Sequence, residues 1–110
     1  MDLAAAETLA ERLMTKHGLE GWAFGFDRAT TRLGRCAYGR RLITISRLFA
    51  LAASAGQVEQ ALLHEIAHAL LPTHNRWGRP LGHGPEWKLL AAAIGYTGSR
   101  MSANPYRQPG

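Results

Sequence analysis

One cysteine, Cys36, occurs in 110 residues. An intrachain disulfide is excluded, and so is a zinc ribbon built from cysteines; Cys36 reads as a small buried apolar residue. No apolar run approaches the roughly 20 residues that a membrane-spanning helix needs, so no membrane partner is expected. The N-terminal stretch MDLAAAETLAERL carries acids and no basic leader, unlike a secretory signal, and the expectation is a cytoplasmic protein. Acids are scarce: eight Asp and Glu stand against 13 Lys and Arg, for a formal net charge of +5. None falls between Asp27 and Glu59, whereas Arg28, Arg32, Arg35, Arg40, Arg41 and Arg47 all do. Such a block suits phosphate contacts with DNA or RNA, and equally suits a solvated basic face.

Glycine and proline are missing from residues 57–71, QVEQALLHEIAHALL, and Pro72 follows. That predicts a helix. It is apolar almost all the way round, through Val58, Leu62, Leu63, Ile66, Ala67, Leu70 and Leu71, as buried helices are. Ionisable side chains in such a helix are costly unless something satisfies them. Here they are His64, Glu65 and His68. Histidines four apart share one helix face, about 6 Å apart along the axis. They can bind one metal ion through Zn–N bonds of about 2 Å. Glu65 leans to the side, where it can take a proton from a water at the metal without being a ligand. This is the HExxH arrangement.

The rest of the chain supplies a small domain around that helix. Residues 2–17 have helical spacing of Leu3, Ala6, Ala10, Leu13 and Met14, with Asp2 to cap the start and Gly18 to stop it. His17 decorates the end of this helix and is not expected to be a ligand. Residues 22–27, 33–38 and 42–46 read as three short strands, which favours an antiparallel sheet. Ser46 can cap a short helical stretch at 47–53, and Ser54 with Gln57 fits a capping box for the central helix. A polar, Gly- and Pro-rich loop covers 73–84. PEWKLLAAAIG then reads as a last helix with Pro85 in its first turn and Gly95 at its end. The boundaries are a domain at 1–95 and a C-terminal tail at 96–110, disordered beyond about residue 100.

A catalytic zinc usually takes three protein ligands and keeps one position open. The candidates for the third are His74, His83 and Glu86. His74 has the spacing of HExxHxxGxxH, with Met101 as a possible Met-turn residue. Leu71 occupies the position where that motif needs a glycine to turn sharply. His83 lies between two glycines just before a helix, and the glycines let the backbone swing its imidazole towards the metal. His83 is favoured.

HEIAHAL followed by GHGPEWK resembles the SprT-like metallopeptidases, which include the Spartan proteases. The segment WAFGFDRATTRLGRCAYGRRLITIS is similar to the strand pattern of that family, and the resemblance runs from about residue 5 to residue 95. It implies an α+β, zincin-like fold in which a small antiparallel three-stranded sheet packs with an N-terminal helix, the central HExxH helix and a C-terminal helix. It implies His64, His68 and His83 as zinc ligands, Glu65 as catalytic base, and Trp87 as the aromatic after the last ligand. It also implies protein substrates that are bound or crosslinked to DNA. Many members continue into a cysteine zinc ribbon, which a chain with one cysteine lacks.

The expected function is thus zinc-dependent cleavage of a protein or peptide substrate. Mn²⁺ is an alternative metal, since a three-His site does not select by ligand type alone. Candidate oxyanion donors are Tyr38, His74, Arg76 and Tyr96. A substrate segment is expected to add as a strand along residues 42–46. The competing readings are a non-catalytic nucleic-acid-binding module with zinc as a structural staple, and a partner-binding domain with an empty site.

Overall fold

The structure is a computed structural model that describes residues 1–71 and 83–98. Among these residues it is an α+β domain of four helices and one sheet. In chain order these are α1 (Leu3–Lys16), β1 (Ala23–Asp27), β2 (Gly34–Ala37), a 3-10 turn (Tyr38–Arg40), β3 (Leu42–Ser46), α2 (Arg47–Ala52), α3 (Ala55–Leu70) and α4 (Pro85–Ala93). No helix among the described residues is long and apolar enough to cross a membrane.

The sheet is mixed, which corrects the antiparallel expectation. Its order is β1-β3-β2; β3 runs parallel to β1 and antiparallel to β2. Three strands in succession suggest neighbours pairing in turn, but β1 and β2 stand two strand spacings apart, about 10 Å. Residues 28–33 are long enough to bridge that gap. The centre goes to LITIS, the segment best suited to burial on both edges, and its Ile43 and Ile45 are fully buried. With β3 central, its edges are already paired on both sides, so no substrate strand can add along 42–46. β2 is the edge strand next to α3.

One face of the sheet carries Phe24, Phe26, Ile43, Ile45, Gly34 and Cys36, set by the registers Phe24↔Ile43, Phe26↔Ile45, Gly34↔Ile45 and Cys36↔Ile43. α3 packs against β2 and β3, and also against α1 and α4. The core includes Phe49, Val58, Leu62 and Ile66, all fully buried, each worth about 1.5–3 kcal/mol of transfer free energy.

α3 starts where the capping box places it. Ser54 Oγ accepts from the Gln57 N–H at 3.2 Å, and Gln57 Oε1 accepts from the Ser54 N–H at 2.8 Å. It ends as Leu71 turns extended (φ −93°, ψ 153°) before Pro72, whose ring disfavours helical geometry in the preceding residue. Ser46 caps α2, accepting from the Phe49 N–H at 3.3 Å.

Candidate metal centre

The capping box fixes the phase of α3, and Gln60, His64 and His68 then recur at intervals of four along one face. His83 sits just before α4, whose start at Gly84 and Pro85 presents its ring to the same place. The Nε2 of His83 lies 2.9 Å from that of His68 and 3.0 Å from that of His64. Together the three could hold a metal ion. Glu86 is exposed in the first turn of α4 and is not in the group. His74, Arg76 and Met101 lie outside the described residues, as do residues 99–110 of the expected tail.

The donor set fits a divalent ion such as zinc. Zn–N bonds of about 2.0 Å at tetrahedral angles set neighbouring ligand nitrogens about 3.3 Å apart, close to the two separations seen. Without a cation, the cluster would need the His83 Nε2 to accept from both neighbours at once, because a neutral imidazole offers one N–H only. Burial, and then the neighbouring His83, push the His68 imidazole down to about 4, so it is neutral and ready to coordinate near pH 7. Trp87 backs all three rings. Its centroid is 4.8 Å from His64, 5.2 Å from His68 in a stacked pair, and 4.7 Å from His83.

Glu65 is 8% exposed, and its Oε2 stands 4.0 Å from Nε2 of His64. It points towards β2 at Gly34, and a Cβ at residue 34 would come within 3.1 Å of that oxygen. Cys36, on the same face of β2, is half-buried rather than fully buried. Burial, and then the Glu65 carboxylate, push its thiol up to about 12, against a hydrogen bond with Tyr38 that lowers it. Tyr38 is not free to stabilise an oxyanion, because its hydroxyl donates to the His68 carbonyl at 2.5 Å. Tyr96 faces the site instead, with its ring 5.4 Å from His64 and 5.5 Å from Trp87.

The six arginines are all exposed, but they do not form one stripe. Asp27 pairs with Ser46 in register, so Arg28 and Arg47 leave the parallel strands side by side. Arg32 pairs with Asp27 at 3.1 Å. Arg35 alternates with Gly34 and Cys36 and so belongs to the face of the sheet away from α3. Arg40 and Arg41 lie in the turn at the opposite end of the sheet. His17 caps the end of α1, its N–H bonded to the Leu13 carbonyl, and is not in the metal group.

Two residues of the site escaped the sequence reading: Gly34, which faces the buried carboxylate, and Gln60, which lies one turn before His64. Tyr38 was read as a candidate oxyanion donor and instead holds the end of α3. Of the two that escaped, only Gln60 carried a signal, its spacing of four from the first ligand; the partners of all three depend on how distant segments meet.

The model of the SprT-like family matches residues 5–107. No curated protein and no solved structure matches the chain.

Proposed function

Since the chain belongs to the SprT-like family, we propose that it is a zinc-dependent metalloendopeptidase of the zincin kind. The observation that carries the reading is the convergence of His64, His68 and His83 beside a buried carboxylate 4.0 Å away. A staple of zinc would have no use for that carboxylate, and structural sites normally close with four protein ligands.

His64, His68 and His83 would hold the ion, which when bound supplies Lewis acidity towards water and towards a scissile carbonyl. Glu65 takes the proton from the attacking water and returns it to the leaving amine. Its burial against Gly34 keeps the carboxylate in one place and away from bulk solvent. The substrate backbone lies along β2, the edge strand next to α3, and pairs with it by main-chain hydrogen bonds. Tyr96, whose ring faces His64, is the proposed oxyanion donor.

The proposed substrates are proteins associated with or crosslinked to DNA. Arg28 and Arg47, side by side at one end of the sheet, are the proposed phosphate contacts. DNA affinity should fall linearly on a log–log plot against salt and fall again in R28A/R47A. Absence of binding at low salt would reduce the arginines to a solvated surface.

The deciding experiment compares wild type, E65Q and H83A for bound metal and for proteolysis. Wild type and E65Q should each carry one ion per chain, E65Q should not cleave, and H83A should lose the metal. Cleavage by E65Q at the wild-type rate would overturn Glu65 as the base, and metal-loaded wild type that does not cleave would overturn the peptidase reading.

A further inference from the structure

Gln60 does more than occupy the exposed side of α3. Its single amide reaches across to the segment that follows α4. Oε1 accepts from the Thr97 N–H at 2.7 Å and from the Thr97 hydroxyl at 3.1 Å. Nε2 donates to the Gly95 carbonyl at 3.2 Å. One side chain therefore satisfies the main-chain groups on both sides of Tyr96, as a neighbouring peptide unit would.

The same segment is tied from its other side. Gly95 has φ +105°, which a residue with a side chain would resist. That reversal lets the Gly95 N–H reach the Ala92 carbonyl at 3.1 Å and the Tyr96 N–H reach the Ala91 carbonyl at 2.9 Å, closing the helix end. Tyr96 is thus held by α4 behind it and by Gln60 in front. Its ring then meets His64 edge-on at 5.4 Å and 77°, while Trp87 meets the same imidazole at 4.8 Å and 61°.

The orientation of His64 needs such walls. The outer torsion of a histidine is broad, and only one setting aims Nε2 at its two partners. We infer that Gln60 is a positioning residue for the metal centre: it locks the turn that carries Tyr96, and the Tyr96 ring holds the His64 imidazole in its ligating orientation against Trp87. This rests on the metal-site reading above. The simpler role, a staple between α3 and α4, predicts lower stability with unchanged affinity of the folded protein for metal.

The experiment measures zinc affinity by chelator competition, the Co²⁺ absorption spectrum, and thermal unfolding of the metal-free chain. Gln60→Met keeps the side-chain length and removes the polar bonds; Gln60→Glu keeps the acceptor that Thr97 uses. Gln60→Met and Tyr96→Ala should each weaken zinc binding about 10-fold or more, as loss of an orienting neighbour does. Tyr96→Phe, which keeps the ring, and Gln60→Glu should both stay within about 3-fold of wild type on the same scale. The double variant Q60M/Y96A should be no weaker than Y96A alone, because the two act in series. Wild-type affinity and an unchanged Co²⁺ spectrum in Gln60→Met, with only a lower melting temperature, would overturn the inference. If Q60M does not fold, wild-type affinity in Y96A overturns it equally. Wild type that binds no metal would overturn this inference and the function together. Metal binding without proteolysis would sink the peptidase reading alone, and the affinity series would still decide this one.

Discussion

Gly34 on the edge strand occupies the space against which Glu65 rests: a Cβ there would stand 3.0 Å from Glu65 Cγ and 3.1 Å from Oε2. The third neighbour, Ile45 Cδ1 at 2.9 Å, is the far end of a flexible side chain and can swing away. Glu65 is buried on a helix and has less freedom. Gly34→Ala should therefore push the carboxylate, at about 1–3 kcal/mol of stability for overpacking. Turnover should fall at least about 10-fold, since misplacement of a reacting group by about 1 Å can lose 100-fold. Bound metal should stay at the wild-type level, because no ligand is touched. Measuring kcat alongside metal content checks both halves; a full turnover rate would show that Glu65 does not act from this position.

The end of α3 makes a second case. The Tyr38 hydroxyl donates to the His68 carbonyl, which also accepts the Leu71 N–H at 3.3 Å. Tyr38→Phe removes the stronger of the two and leaves the carbonyl partly served, so about 1 kcal/mol of stability should be lost. Denaturant unfolding of the two proteins reads this directly. An unshifted midpoint with an unchanged slope would mean that the phenol makes no such bond in solution.

Much of this architecture was legible in the residues. The phase of α3 follows from Ser54 and Gln57, and HEIAH on that helix announces its two histidines. The glycines around His83 mark a backbone able to turn towards them. What could not be read were the relations that depend on which distant segments meet. Nothing in AFGFD or LITIS says whether they run parallel, because alternation fixes which face is buried and not the direction of a partner. The mixed sheet then decides the rest. It puts β2 at the edge, brings Gly34 and Cys36 to Glu65, and splits the arginine block so that Arg28 joins Arg47 while Arg40 and Arg41 lie at the other end. Tyr96 was visible as a candidate, but its support by Gln60 required the fold.

Cys36 offers a pH test on metal-free protein. Burial and the Glu65 carboxylate raise its pKa from 9.0 to about 12; burial, Cys36 and Glu65 raise Tyr38 from 10.0 to about 12. Both groups are neutral when protonated, and the folded chain holds these protons more tightly than the unfolded one. Their contribution to stability is therefore complete below pH 9 and is lost as pH climbs towards about 12. The thiol should resist iodoacetamide at pH 9 in the folded chain and react readily in denaturant. In E65Q one of the raising causes is gone, so alkylation should be faster than in wild type at the same pH. Equal rates in the two proteins would show that the carboxylate does not act on the thiol.

Arg41 is the one non-glycine residue with positive φ among those described, at φ 47° and ψ 54°. Its backbone is used: the N–H donates to the Tyr38 carbonyl at 3.1 Å and its carbonyl accepts from Ala23 at 2.9 Å. Glycine would preserve both bonds. Left-handed geometry disfavours a side chain by about 1–2 kcal/mol, whereas glycine frees the unfolded chain by about 0.5–1 kcal/mol. Arg41→Gly should thus leave stability unchanged or raise it by up to about 1 kcal/mol on the balance of those two terms. The guanidinium is lost at the same time, so DNA affinity reads the side chain separately. With phosphate contacts at Arg28 and Arg47, R41G should bind DNA about as wild type does and melt no lower. A marked loss of DNA affinity in R41G would move the phosphate contact to the Tyr38–Arg41 end of the sheet, and a lower melting temperature would show that the Arg41 side chain itself supports the turn.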